Sequence, residues 1–153
     1  TGGYGKDTEP KVLYAQSGIG VAPSICYESI WGDYVSEYVV KGAQFIAVIT
    51  NDGWWKDTSG KDQHMAYAKL RAIENRWWVA RSANTGISGF INQKGDVVQH
   101  TAWWVPAALT QEINLNDDIT FYTKNGDIIA FIGLIGAAIS LLLLFIPKYK
   151  KIN

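Results

Sequence analysis

The chain is poor in the residues that most often announce a function. It has one cysteine, one methionine, four prolines and two histidines in 153 residues. A single cysteine excludes an internal disulfide and any cysteine-rich metal site. His64 and His100 are far apart and show no metal-ligand spacing, so no metal and no other cofactor is expected. Charge of one sign is also missing, because 14 basic side chains balance 14 acidic ones. That balance gives no reason to expect a nucleic acid partner, which would want a basic face. The start carries no initiator Met, no basic n-region and no signal-like apolar stretch. Thr1 to Pro10, TGGYGKDTEP, is polar and turn-rich. It reads like the middle of a protein, and a fragment is expected.

What the chain does have is aromatics, with seven Trp and eight Tyr. Such a stock suits a large core, a membrane interface or an apolar cleft. The length suffices for one ordinary domain with a real core. Val12 to Ala15 and Ile19 to Tyr27 read as strands split by the Ser17-Gly18 turn signal. Tyr34 to Val40 has helical spacing and stops near Gly42. FIAVIT, Phe45 to Thr50, is a continuous apolar run of the kind found in strands buried on both faces. Gln63 to Trp78 is predicted as a helix with Met65, Ala68, Ala72 and Ile73 toward one side. Val79 to Ser82 and Gly86 to Asn92 read as strands. Gln93-Lys94-Gly95-Asp96 then reads as a hairpin turn, with Val97 to His100 as the partner strand. Gln111 to Leu115 is one more candidate strand. Strands alternating with helices, then hairpins, predict an α/β sandwich.

The tail is of another kind. Ile128 to Ile146, IIAFIGLIGAAISLLLLFI, is an uncharged apolar run. Its length is close to the ~20 residues that cross a ~30 Å hydrocarbon core. A core helix is the alternative, but core helices are rarely apolar all round for so long. Pro147-Lys148-Tyr149-Lys150-Lys151 follows, and basic flanks favour the cytoplasmic side. A membrane span is therefore predicted, with the body outside the cytoplasm. In an oxidising compartment a lone thiol needs a reason to persist. That turns attention to PSICYESIW, Pro23 to Trp31, where Cys26 stands two residues before Glu28. A lone cysteine is more often a small core residue than a catalyst, and that alternative stays open on the triplet alone.

Four pieces occur in one order: ICYES at Ile25 to Ser29, NDGWW at Asn51 to Trp55, QHMAYAKLRAIENRWWVARSANTG at Gln63 to Gly86, and INQKGDVV at Ile91 to Val98. The series resembles the carbon-nitrogen hydrolase (nitrilase) superfamily. With NDGWW, the His64 helix and the apolar tail added, it is similar to the apolipoprotein N-acyltransferase branch of bacterial envelopes. The resemblance implies a nitrilase-like αββα sandwich, here partial, followed by a C-terminal transmembrane helix. It divides the chain into residues 1–122, the C-terminal part of a carbon-nitrogen hydrolase domain, residues 127–147, the membrane helix, and residues 148–153, a basic cytoplasmic tail. The location implied is the bacterial inner membrane, with the catalytic part on the periplasmic side. The implied partners are a membrane phospholipid as acyl donor, an apolipoprotein as acceptor, and the lipid bilayer.

The family uses a Cys-Glu-Lys triad, and its Cys-Tyr-Glu motif matches Cys26, making Cys26 the implied nucleophile. Its glutamate base and lysine lie before that motif. Glu9 and Lys11 lack the expected surroundings, so those roles are not carried onto them and the triad is incomplete here. Trp31-Gly32-Asp33 replaces the Phe-Pro-Glu of many relatives, and Lys56 stands where Gly often follows the aromatic pair. Glu28 would share a face with Cys26 in a strand, and the family pattern makes it a supporting residue. The alternative is a surface or helix-start carboxylate. The N–H of Tyr27 is placed to meet an oxyanion. Asn51, Asp52 and Trp54 follow a strand end, where α/β proteins assemble sites. Tyr27, Asn51, Trp54 and Trp55 are candidate substrate-binding residues, with plain core packing as the alternative for the tryptophan pair. His64, Arg71, Glu74, Arg81 and Asn84 are read as structural, Arg71 pairing with Glu74 on one helix face. Competing with acyl transfer are a nitrilase-type amidase, against which the tail argues, and a non-catalytic anchored module.

Overall fold

Alternation of apolar residues, broken by helices of about two to five turns, builds one mixed sheet. The computed structural model describes residues 7–145. Its strands are β1 (Leu13–Tyr14), β2 (Gly20–Ile25), β3 (Phe45–Asn51), β4 (Val79–Asn84), β5 (Gly89–Ile91) and β6 (Val97–His100), lying side by side in that order. The helices are α1 (Gly32–Val40), α2 (Ser59–Asn75), α3 (Phe121–Asn125) and α4 (Ile128–Leu144). The β2–β3 and β3–β4 pairs are parallel, each joined through a helix as parallel neighbours require. The other pairs are antiparallel. The hairpin between β5 and β6 turns at Gly95, whose φ of 85° is open to glycine at no steric cost.

Side chains alternate across the sheet, and among the described residues the core packs on one face. Ala22, Ile46, Val48, Val79 and Ile91 meet Val35, Tyr38 and Val39 of α1 and Met65, Ala68 and Ala72 of α2 in one core. On the opposite face Ile49 of β3 is 52% exposed and Ile25 of β2 is 50% exposed. FIAVIT is therefore central in the sheet but, among the described residues, buried on one face only. The fold is α/β and nitrilase-like in its single sheet with helices on one side. A second sheet of an αββα sandwich is not among the described residues.

Several boundaries differ from the sequence reading for local reasons. β2 stops at Ile25 rather than running to Tyr27, because Cys26 takes a φ of 52° and Cys26–Ile30 winds into a 3₁₀ turn. α2 begins earlier, at Ser59, where the Thr58 hydroxyl accepts from the Gly60 N–H. It ends at Asn75 rather than Trp78, because Arg76 enters the left-handed region at φ 56° and Trp77 turns into the core, fully buried. Gln111 to Leu115 forms no strand, and the chain there pairs with no ladder.

The tail forms α4, capped by the Asp127 carboxylate, which accepts from the Ala130 N–H. Its 17 residues rise about 26 Å at 1.5 Å each. Among the described residues no helix is long and apolar enough to cross a membrane. The expected span, Ile128 to Ile146, is corrected to a helix ending at Leu144. Ile146 and the basic run Lys148, Lys150 and Lys151 lie outside the described residues, as does most of the polar start, Thr1 to Lys6. No residue of α4 is buried, so nothing in the described chain covers this apolar helix.

Candidate active site

The carboxyl ends of the parallel strands β2, β3 and β4 lie together at one edge of the sheet, where each strand delivers a motif. β2 delivers Cys26, β3 delivers Asn51 and Asp52, and β4 delivers Asn84 and Thr85. Cys26 and Thr85 both hold positive φ, 52° and 57°. For residues with a side chain such backbone persists only where its surroundings over-determine it.

Those surroundings are a buried polar cluster. Asp52 opens the 3₁₀ turn Asp52–Trp55 and is fully buried. Its Oδ1 accepts from Thr50 Oγ1 at 3.0 Å and lies 2.9 Å from His64 Nδ1. Its Oδ2 takes a close ion pair from Arg81 Nη2. Burial by itself pushes the Asp52 carboxyl up, but the hydrogen bond from His64 and the charge of Arg81 outweigh it and hold the group below the ordinary carboxylate range. The far ring nitrogen, His64 Nε2, lies 3.1 Å from the Cys26 carbonyl oxygen and 3.1 Å from Ser29 Oγ. Ser29 Oγ donates to the same carbonyl at 2.8 Å. Arg81 Nε also donates to the Ile87 carbonyl at 3.1 Å, fixing the loop after β4. Gly86 packs onto this cluster so tightly that a Cβ there would lie 2.5 Å from Asp52 Oδ2.

A second brace lies one turn away. Arg71 Nη1 donates to the Ile30 carbonyl at 2.9 Å, and Nη2 donates to Glu74 Oε1 at 2.8 Å. Burial raises the Glu74 carboxyl, with Arg71 opposing it. The two ends of the Cys26–Ile30 turn are thus gripped from α2, by His64 and Arg71.

The candidate site residues fall in different places. Cys26 is half-buried at the turn. Glu28 is not on a strand, so the shared-face argument does not apply to it. Its Oε2 folds back to accept from the Ile25 N–H at 2.7 Å, closing the turn that carries Cys26. Tyr27 is half exposed, its ring 6.0 Å from the Trp55 ring and 6.2 Å from the His64 ring. Asn51 Oδ1 accepts from the Gly53 N–H and from Thr85 Oγ1 at 2.8 Å, tying the loops after β3 and β4 together. Trp55 is half-buried, but Trp54 is 82% exposed, so core packing does not account for it in the described chain. Glu9 and Lys11 are ion-paired, Glu9 with Lys41 and Lys11 with Asp7, and both line the cleft that Glu28 also borders. Asp52 is the residue that sequence reasoning undervalued. Its signal was present in NDGWW, an acid directly after a buried strand. A cleft of about 750 Å³ is lined by Glu9, Lys11, Pro23, Ile25, Glu28 and Trp31, taking in neighbours of Cys26 but not Cys26 itself.

The carbon-nitrogen hydrolase family pattern matches residues 4–120. The chain belongs to the carbon-nitrogen hydrolase family. It is 41% identical over 135 residues to the apolipoprotein N-acyltransferase of Chlorobaculum tepidum, a match covering 86% of this chain and 25% of that protein. The apolipoprotein N-acyltransferase of Geobacter metallireducens is 35% identical over 124 residues, covering 81% and 24%. The chain thus spans about a quarter of the length of these curated relatives. Among solved structures, an amidase from Nesterenkonia sp. superposes with a TM-score of 0.56 at 19% identity, covering 84% of this chain and 48% of the amidase. The carbon-nitrogen hydrolase of Helicobacter pylori gives 0.55 at 10% identity, covering 63% and 41%. At these identities the structures establish the fold alone.

Proposed function

We propose that this chain is the nucleophile-bearing part of an apolipoprotein N-acyltransferase. The carrying observation is the sole thiol, Cys26, on a positive-φ turn at the carboxyl edge of the parallel strands, gripped from beneath by His64 and Ser29. The relatives named apolipoprotein N-acyltransferase support the acyl-transfer reading. Cys26 as its thiolate attacks the ester carbonyl of a phospholipid. The C–S bond forms, the ester C–O bond breaks, and the lysophospholipid oxygen leaves with a proton. An N-terminal amine of a diacylglyceryl-cysteine lipoprotein then attacks the thioester. The C–N bond forms, the C–S bond breaks, and the amine's proton is given up as the thiolate returns. The N–H groups that follow Cys26, Tyr27 among them, receive the carbonyl oxygen's developing charge. Glu28 supports the turn, and Trp54, Trp55 and Asn51 border the approach of the acyl chain.

The base and the lysine of the triad are assigned to no residue here, so the isolated chain is expected to be inactive. The apolar sheet face around Ile25 and Ile49 is the surface that the second sheet of the sandwich would cover. The described α4 is exposed along its length but too short by itself to cross a membrane. The apolar run that begins with it and continues in sequence through Ile146 is read as the membrane span. The lysines beyond it then lie in the cytoplasm and Cys26 in the periplasm of a bacterial inner membrane.

The test uses the full-length protein. Cys26→Ala and Cys26→Ser should abolish the phospholipid-derived acyl adduct, read by mass spectrometry, with the melting curve retained. An adduct that persists in the alanine variant overturns the assignment. A reporter fused after Asn153 should be active in the cytoplasm, and activity confined to the periplasm overturns the orientation.

A further inference from the structure

The contacts beneath Cys26 engage both ring nitrogens of one buried histidine. His64 Nδ1 faces Asp52 Oδ1 at 2.9 Å. Asp52 also pairs with Arg81, so its carboxylate only accepts and Nδ1 carries a hydrogen. Three further atoms then form a triangle: Nε2, Ser29 Oγ and the Cys26 carbonyl oxygen, separated by 3.1, 3.1 and 2.8 Å. Ser29 Oγ donates to the carbonyl, and the 3₁₀ turn Cys26–Ile30 brings the Ser29 backbone N–H to the same oxygen. Nε2 closes the triangle, so the ring ties the Cys26 carbonyl and the Ser29 hydroxyl to Asp52 beneath them.

We propose that His64 positions the nucleophile, gripping the Cys26 carbonyl from beneath and so holding the positive-φ turn that presents the thiol. This rests on the reading of Cys26 as the nucleophile. It deepens that reading by giving a role to a buried histidine that makes no contact with substrate. The groups facing the ring come from every neighbouring element. They are Asp52 after β3, Arg81 from β4, and Ser29 and the Cys26 carbonyl after β2, with the Tyr27 ring 6.2 Å away. Arg81 Nη2 lies 3.4 Å from Nδ1, and Asp52 touches both.

One measurement on the full-length protein in detergent tests this. Iodoacetamide alkylation of Cys26, followed by peptide mass spectrometry, should slow about tenfold or more in His64→Gln, the order expected for a misplaced reacting group. The melting curve should remain cooperative, and Ser29→Ala should slow alkylation less. An unchanged rate in His64→Gln overturns the positioning role. Iodoacetamide needs no acyl donor. A protein that alkylates at Cys26, slows with His64→Gln and yet forms no acyl-enzyme supports His64 and overturns the acyltransferase reading.

Discussion

Replacing Asp52 by alanine probes the cluster most directly. The side chain is fully buried and accepts from Thr50, His64 and Arg81. Removing it leaves the Arg81 guanidinium, itself 3% exposed, without its counter-charge. Breaking a buried pair by deleting one partner costs about 3–5 kcal/mol, because the survivor's desolvation is no longer offset. Counting hydrogen bonds gives a similar figure, since three donors lose an acceptor at about 1–3 kcal/mol for each group left unsatisfied. The two counts describe the same loss and are not added. Asp52→Ala should therefore destabilise the protein by about 3–5 kcal/mol, measured by denaturant unfolding followed through tryptophan fluorescence. The double variant Asp52→Ala/Arg81→Met should recover part of that loss, because it removes the stranded charge as well. A cost below about 1 kcal/mol, or a double variant with the summed cost of the singles, would refute the claim that ion pairing holds this edge together. pH gives the same test a sign. A carboxyl held below its ordinary range stabilises the fold above an unfolded pKa of about 3.9, and that contribution is lost as pH falls through the lower folded value. Asp52→Asn should flatten that part of the acid limb.

Gly86→Ala would place a methyl 2.5 Å from Asp52 Oδ2 and 2.7 Å from Ala83 Cβ. It should cost about 1–3 kcal/mol in the same unfolding assay. Trp54→Ala removes a largely exposed ring, so stability should change by no more than about 0.5 kcal/mol. Acyl transfer should fall more with long-chain than with short-chain donors, and a flat chain-length series would take Trp54 out of the site. Leu134→Asp, near the middle of α4, should release the protein from the membrane fraction while the spectrum of the body is kept. Unchanged fractionation would count against α4 as the anchor.

The sequence by itself determined the order of β1 to β6 with α1 and α2 between them, the hairpin at Gly95, the apolar tail and the prominence of Cys26. Each of these is a local signal: a period of two or of about 3.6, a glycine in a turn, or a motif within a few residues. It did not determine α3 or the absence of a strand at Gln111 to Leu115. Nor did it determine that β2 ends at Ile25, because only a positive φ at Cys26 separates a strand reading of ICYES from a turn. With that turn went the expected position of Glu28, which closes the backbone onto Ile25 instead of standing beside the thiol. The Asp52–His64–Arg81 cluster was equally out of reach. Its members stand on separate elements with no common period. They meet because β3 and β4 are parallel neighbours in a register that pairs Asn51 with Asn84, and because α2 crosses back over them. Trp54 and Trp55 make the same point within a single dipeptide. They are identical in type and adjacent in sequence, yet one is exposed and the other packs against Tyr27 and the backbone of Gly60. Local pattern names the face of an element. Which faces meet, and which polar groups are sealed between them, is decided by register and packing.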